Sequence, residues 1–454
     1  MTGFSDDEKA NRISRRSLLG AAPLAAASGA GLALAQTAVD TGKPALLGGS
    51  PVKSNAFPGW PVEDPLDENA LSAVVRSGEW GRGTGKKVLK FEQQFATLMS
   101  APHCLATSSG TAALFTALNV MGIGPGDEVL VPPYTFVACV NVILMCHALP
   151  VFVDTDPETF QIDARKIEAA ITGRTRAILA VHLGGATFDV DAVRAVAKKH
   201  NLPLLEDSCQ SHLAEWRGHR TGAFGTAGCF SFQASKNLNA GEGGAILTAS
   251  EEFRDRCFAF HNNSRGSGHN GDDFTYAHCG LNLRMTEFQA ALLSTQMTRL
   301  EAQSKKRTEN ALYLTGMLSE IPGIRPARMY EGCTRNAYHL YMLRYDAERF
   351  GGLPRPAFLK ALRAEGIPGA QGYTPLNKEP FLENTLAKPG FQRIYGRERL
   401  AAWKENNHCP ANDRLCEEAV WFTQNMLLGP RRDMDEIAAA VRKIQRHAGD
   451  LRKS

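Results

Sequence analysis

The sequence has no C-x-x-C pair. Its ten cysteines are scattered over 454 residues, which excludes zinc-ribbon and thioredoxin-like readings. No basic block stands out beyond Lys305-Lys306-Arg307, which falls in a helical pattern and reads as a solvated face. With a net charge of only +4, nucleic-acid binding finds little support. Asp154-Thr155-Asp156 and Asp189-Val190-Asp191 lack the glycine and final glutamate of an EF-hand; strand-end and helix-cap carboxylates account for them better. No internal repeat is visible. The most apolar run, Leu18 to Ala35, holds too much Gly, Ser and Pro to favour a membrane-spanning helix.

What is present describes a globular chain: 43% hydrophobic and 22% charged residues, with length for two or three domains. The compositional anomaly is at the start. Ser14-Arg15-Arg16-Ser17-Leu18-Leu19 opens the Ala-rich run, which ends Ala33-Leu34-Ala35. Twin arginines, a mildly apolar stretch and a small-residue A-x-A site describe a Tat-type export signal over 1–35, with cleavage after Ala35. The bland alternative is an Ala-rich tail. The expected location is periplasmic or otherwise extracytoplasmic, and cytoplasmic if the signal is not used. Export would permit disulfides, but Cys209 and Cys229 read most simply as buried small hydrophobes.

Residues 36–65 form a Gly/Pro-rich, extended lead-in. Helical spacing follows over Asp67 to Arg76 and Val88 to Ser100, with a loop and Trp80 between. Short apolar strands then alternate with helices. Strands are expected at 128–131, 150–153, 177–181, 203–206 and 228–232, and helices at 111–121, 136–146, 164–171 and 190–200. This alternation predicts an α/β fold with a mostly parallel sheet, whose sites lie beyond the carboxyl ends of the strands. Asp154, His182, Asp207 and Lys236 all fall at or just past such ends. The polar stretch His261 to Gly280 reads as a long functional loop. Thr286 to Ile321 is helical and is expected to break once. A strand at 338–343 and helices at 355–365 and 434–447 fill a smaller α+β domain. The resulting division is a large domain over 66–320 and a small C-terminal one over 321–454.

Lys236 carries the chemistry. The apolar run Cys229-Phe230-Ser231-Phe232 leads into a polar turn with one lysine, and desolvation there lowers an ammonium pKa. A neutral amine can form a Schiff base with an aldehyde. Upstream, Leu204-Leu205-Glu206-Asp207 ends in a carboxylate. A Schiff-base lysine and an aspartate for a pyridinium nitrogen are what pyridoxal 5'-phosphate (PLP) requires. Gln210 could bond the ring hydroxyl, while His212 is equally well a core histidine. Ser109-Gly110-Thr111-Ala112 opens a helix whose free N–H groups favour phosphate, or is an ordinary serine cap. Tyr134 or Phe136 could stack on a planar ring or simply pack the core. Ser231 and Ser235 could bond phosphate or be strand polarity. Gly241-Glu242-Gly243-Gly244 reads as a structural tight turn.

Taken in order, these segments resemble the DegT–DnrJ–StrS family of aminotransferases. The resemblance runs from about Ala45 to the C-terminus. It is carried by Ser109 to Ala113, Gly126 to Val129, Pro132 to Val137, Pro150 to Asp154, Val181 to Leu183 and Asp189 to Asp191. Glu206-Asp207 with Gln210, Phe230 to Phe232, Ser235 to Leu238, Gly241 to Gly244 and Asn282 to Ala291 complete it. It implies a fold-type I architecture, a seven-stranded large sheet and a homodimer with shared active sites. It also implies Lys236 as the Schiff-base lysine, Asp207 at the pyridine nitrogen, Gln210 near the ring oxygen and Phe136 stacked on the ring. Gly110, Thr111 and Ser231 would hold phosphate, with Asn282 reaching it from the neighbouring subunit. The lead-in Leu46 to Val52 with Trp60-Pro61 is closer to the cyclitol and aminohydroxybenzoate-synthase branch than to the sugar-nucleotide branch. Departures are Ser208-Cys209-Gln210-Ser211 for Ala-Gln-Ala, Leu283 for a tyrosine before Arg284, and the long 261–280 stretch.

The activity implied is transfer of an amino group from glutamate or glutamine to a keto-sugar or cyclitol ketone such as an inosose. Two rivals are dehydration on the same scaffold and a non-catalytic, exported PLP- or sugar-binding sensor. Dehydratase-type relatives place histidine where this chain has Lys236, which favours transamination.

Overall fold

Four-residue apolar runs such as Glu-Val-Leu-Val and Leu-Leu-Glu-Asp suit strands buried on both faces, and they build the centre of the molecule. The computed structural model describes residues 42–266, 276 and 278–453. The expected export signal over 1–35 lies outside the described residues, as do 267–275 and 277 within the His261–Gly280 stretch. The described residues form one unit.

The strands are β1 (His103–Thr107), β2 (Glu128–Val131), β3 (Leu149–Phe152), β4 (Thr175–Val181), β5 (Leu204–Asp207), the short pair β6 (Glu215–Trp216) and β7 (His219–Arg220), then β8 (Ala227–Ser231) and β9 (Gly244–Thr248). Seven of them form the large sheet, in the order β1-β9-β8-β5-β4-β2-β3. Only β9 runs antiparallel to its neighbours. The expected mostly parallel, seven-stranded α/β sheet is therefore present. Its helices include α1 (Pro65–Ser77), α2 (Lys87–Leu98), α3 (Gly110–Val120) and α4 (Ala138–Met145). Side chains alternate across the sheet with the strand period of two. Val129 and Val131 pack toward the α3–α4 layer, while Leu130 joins Ile178, Ala180 and Val193 on the other face.

The helix expected to break within 286–321 is instead one helix of 33 residues, Glu287–Ser319. Thr286 and Gln289 close a capping box at its start, which fixes the N-terminal turn. Beyond it lie β10 (Ile324–Pro326), β11 (Cys333–Arg335), β12 (Leu340–Tyr345) and β13 (Ala419–Thr423). The order β10-β12-β13 makes a second sheet, and β11 pairs with β6. Helix 431–446 packs on this second sheet through Met434, Ile437, Val441 and Ile444. Among the described residues, no helix is long and apolar enough to cross a membrane.

Register sets the site. Thr107 pairs Gly244, Gly244 pairs Ser231, and neighbouring Cys229 pairs Asp207. One edge row of the sheet thus brings together the start of α3, the serine before the lysine turn and the carboxylate of β5. Gly244 permits the approach: a Cβ there would lie 2.2 Å from the Ser109 carbonyl oxygen.

Candidate active site

A cavity of about 490 Å³ opens at this row. It is lined by Gly110, Thr111, Phe136, Asp207, Gln210, Ser231 and Lys236, with His339, Tyr373 and Trp421 from the C-terminal part. Seven of the eight residues expected to hold a cofactor therefore converge. The eighth, Asn282, is exposed outside the cavity, where it bridges to Asn262.

Lys236 sits in a turn fastened on both sides. The Trp60 indole donates to the Ala234 carbonyl at 2.9 Å, and the Asn237 amide donates to the Ala337 carbonyl at 2.7 Å. The side chain is half-buried against the cavity. Burial depresses its ammonium below the ordinary lysine value, opposed only in part by Cys209 and Asp207. The glycine return is structural, as expected: Gly241 and Gly243 have φ of 82° and 155°.

Asp207 is held by two donors. Its Oδ1 accepts the Cys209 N–H at 3.0 Å and its Oδ2 the Cys139 thiol at 2.8 Å. Burial, then the charge of Asp207, pushes the Cys139 thiol well up, so it stays protonated as a donor. Gln210 is fixed at both ends: Oε1 accepts the Gly184 N–H at 2.7 Å, and Nε2 donates to the Tyr373 hydroxyl at 3.2 Å.

Ser109 caps α3, its hydroxyl accepting the Ala112 N–H at 3.1 Å. The N–H groups of Gly110 and Thr111 precede that cap bond and sit at the positive end of the helix dipole. A Cβ on Gly110 would lie 2.7 Å from Ser231 Cβ and 2.9 Å from Cys209 Sγ. Only glycine leaves this concave backbone open. The amine, the carboxylate and the helix start fit PLP: one group for its aldehyde, one for its ring nitrogen, one for its phosphate.

Other strand-end candidates do not reach the cavity. His182 bonds buried Glu206 at 3.0 Å and stacks on Phe188. Glu206 also accepts the N–H groups of Gly222, Phe224 and Gly225, which makes it a loop anchor. Asp154 pairs with Lys166 and accepts the Ala411 and Asn412 N–H groups. Asp189 caps helix 190–199. No metal-binding cluster occurs among the described residues. Tyr134 is core, in edge contacts with Phe160, Tyr373 and Trp421, whereas Phe136 lies at the cavity and is 54% exposed. His212 is buried between Phe230 and Phe232. Ser235 lines the cavity but spends its hydroxyl on Gln233.

Residues 61–396 match the DegT/DnrJ/EryC1/StrS aminotransferase family. The chain belongs to that family. It is 38% identical to the L-glutamine:2-deoxy-scyllo-inosose aminotransferase of Streptoalloteichus tenebrarius over 429 residues, covering 90% of this chain and 99% of that one. The protein of the same name from Streptomyces paromomycinus is 39% identical over 426 residues, covering 90% of this chain and 98% of that one. Among solved structures, 3-amino-5-hydroxybenzoic acid synthase superposes with a TM-score of 0.77 at 31% identity, covering 87% of this chain and all of that one. This aminotransferase therefore has the fold-type I architecture that its sequence motifs imply. His339, Tyr373, Trp421 and Cys139 were not singled out as site residues in the sequence. A signal for His339 was available in the strand-like run 338–343; Tyr373 sits in a loop with no pattern to mark it.

Proposed function

We propose that this aminotransferase uses PLP to move an amino group from glutamine, or glutamate, to the ketone of a cyclitol of the scyllo-inosose type. The observation that carries the reading is the convergence of Lys236, Asp207 and the Gly110–Thr111 helix start on one cavity. The donor and substrate named for these relatives support the donor and the acceptor class. When bound, PLP supplies an aldehyde for amine exchange and a ring that accepts electrons when the substrate Cα–H bond breaks.

The chain's own residues then have distinct tasks. Gly110 and Thr111 N–H groups, with Ser231, would bind the phosphate. Asp207 would keep the ring nitrogen protonated by its charge, Gln210 would meet the ring oxygen and Phe136 would cover the ring face. Lys236 Nζ, its ammonium weakened by burial, would take the proton from the donor Cα and deliver it within the site.

The proposed assembly is a homodimer in which Asn282 of a second copy completes the phosphate site. The exposure of Asn282, Leu281 and Phe136 in one chain supports it. We also propose Tat-type export with cleavage after Ala35, a route that suits a protein folded around its cofactor before transport. N-terminal sequencing of the mature protein tests this; a start at Met1 removes the export reading.

The test of function is an absorption spectrum before and after glutamine. The purified protein is expected to show the band of a lysine-linked cofactor, which glutamine converts to the pyridoxamine form. Subsequent inosose should restore the first band. Lys236→Ala is expected to abolish turnover while leaving the protein folded. A protein with no band after PLP addition, or a Lys236→Ala variant that retains the half-reaction, overturns the proposal.

A further inference from the structure

His339 lies one residue before β12, and only 7% of its surface is exposed. It lines the cavity beside Lys236. Its Nδ1 lies 3.3 Å from Asn237 Oδ1. The Asn237 amide cannot turn round without losing the 2.7 Å bond from its Nδ2 to the Ala337 carbonyl. Its oxygen therefore faces the imidazole, and Nδ1 must carry the hydrogen. Nε2 is left with a lone pair. No protein group bonds it among the described residues, and it is not sealed off inside the protein, so on this cavity-lining ring it opens on the cavity.

No carboxylate bonds the ring among the described residues. The titratable neighbours that act on it are Lys236 in the turn after β8, His212, and Arg307 on the helix 287–319. Burial first, then these three, holds the imidazole well below the usual histidine range. Its tautomer and charge are both fixed, which makes Nε2 an acceptor that cannot become a donor at neutral pH. A carboxylate or phosphate oxygen facing it would meet lone pair with lone pair. A hydroxyl would donate to it.

We propose that His339 Nε2 accepts a hydrogen bond from a hydroxyl next to the reacting carbonyl of the ring-ketone substrate, and so selects hydroxylated rings. This rests on the aminotransferase reading above and adds a specificity residue to it. Cavity and lysine place the imidazole near the carbon where the amine is exchanged, and hydroxyls are the donors that a cyclitol ketone offers there.

The experiment separates the two half-reactions of the holoenzyme. Glutamine drives the first, read by the cofactor spectrum. The second is run with scyllo-inosose and with an analogue lacking the hydroxyls on both carbons beside the carbonyl. Wild type is expected to prefer scyllo-inosose. In His339→Leu, the second half-reaction with scyllo-inosose should fall roughly tenfold or more, the loss of one buried hydrogen bond. The glutamine step should fall far less, and the preference over the analogue should collapse. His339→Gln, which keeps an acceptor oxygen, should recover part of that preference and carries the test if the leucine variant does not fold. Equal losses in both steps, a loss confined to glutamine, an unmoved ratio, or no preference in wild type overturn the assignment while leaving transamination intact. A wild-type holoenzyme inert to both glutamine and inosose overturns the functional reading and this inference together.

Discussion

The Cys139 thiol donates to Asp207 Oδ2 across 2.8 Å. A strand-end carboxylate and a helix thiol, 68 positions apart in sequence, are thereby locked together, and the remaining carboxylate oxygen is held by the Cys209 N–H. Asp207 is thus orientated before any cofactor arrives. Asp207→Asn removes the charge but keeps the shape. It is expected to cut kcat for amine transfer on the order of a hundredfold or more, as loss of a preorganised electrostatic partner does, while the protein still takes up PLP. Cys139→Ser, which keeps a donor, should lose much less. Steady-state kinetics with cofactor content measured on each variant checks both; equal losses would deny the thiol its donor role.

Gly110 offers a test of the phosphate cradle. An alanine Cβ would sit 2.7 Å from Ser231 Cβ and 2.9 Å from Cys209 Sγ. Both neighbours belong to the cavity wall, so relief must come from moving that wall. Overpacking by one methyl costs roughly 1–3 kcal/mol, and Gly110→Ala should weaken PLP binding by about tenfold or more. Fluorescence titration of the apoprotein with PLP measures this. Unchanged affinity would show that the phosphate sits elsewhere.

The half of the site that could be read from the sequence is the half made by local pattern. Lys236 and Asp207 each end a short apolar run, and Ser109 opens a helix; strand ends of an α/β sheet point where they must. The helices over 67–76, 190–200 and 355–365 were legible from periodicity because each has one buried face. What was not legible depends on distance. His339 and Tyr373 enter the cavity from a second sheet and a loop more than 100 positions beyond Lys236, as the Asn237–His339 separation of 102 shows. Strand β9 was hidden behind its glycine turn, although Gly-Ala-Ile-Leu-Thr is buried throughout. The helices over 380–386, 389–405 and 410–418 are short, Pro-led or mixed in polarity and gave no clear face. The expected break in the 286–321 helix does not occur, since no proline falls in it and its capping box and buried stripe favour continuation.

Glu365 ties the lead-in to helix 431–446. Its carboxylate is fully buried and accepts the Ala45 and Val52 N–H groups at 2.8 and 2.9 Å and Lys443 Nζ at 3.1 Å. Glu365→Ala strands the buried Lys443 ammonium with the Ser50 carbonyl alone. Removing one partner of a buried pair costs about 3–5 kcal/mol. Urea unfolding should show a lower midpoint at unchanged slope. Ala45 and Val52 lie after the expected cleavage site, so a mature chain starting at Gln36 should show the same loss.

His212 supplies a pH prediction with a definite sign. Burial, with Lys236 nearby, pushes its imidazole down from 6.5 to about 3. Between those values the unfolded chain binds a proton that the folded chain refuses. Stability present above pH 6.5 is therefore lost progressively as pH falls toward 3, by about 1.4 kcal/mol per pH unit for each such group. His261, also pushed down to about 3, adds to the slope. His212→Leu deletes one proton from this difference and removes a ring whose nitrogens lack partners. The variant should be at least as stable as wild type at pH 7 and should lose stability less steeply between pH 6.5 and 4. Denaturant unfolding across that range measures it, and an unchanged slope would mean that His212 does not stay neutral in the folded protein.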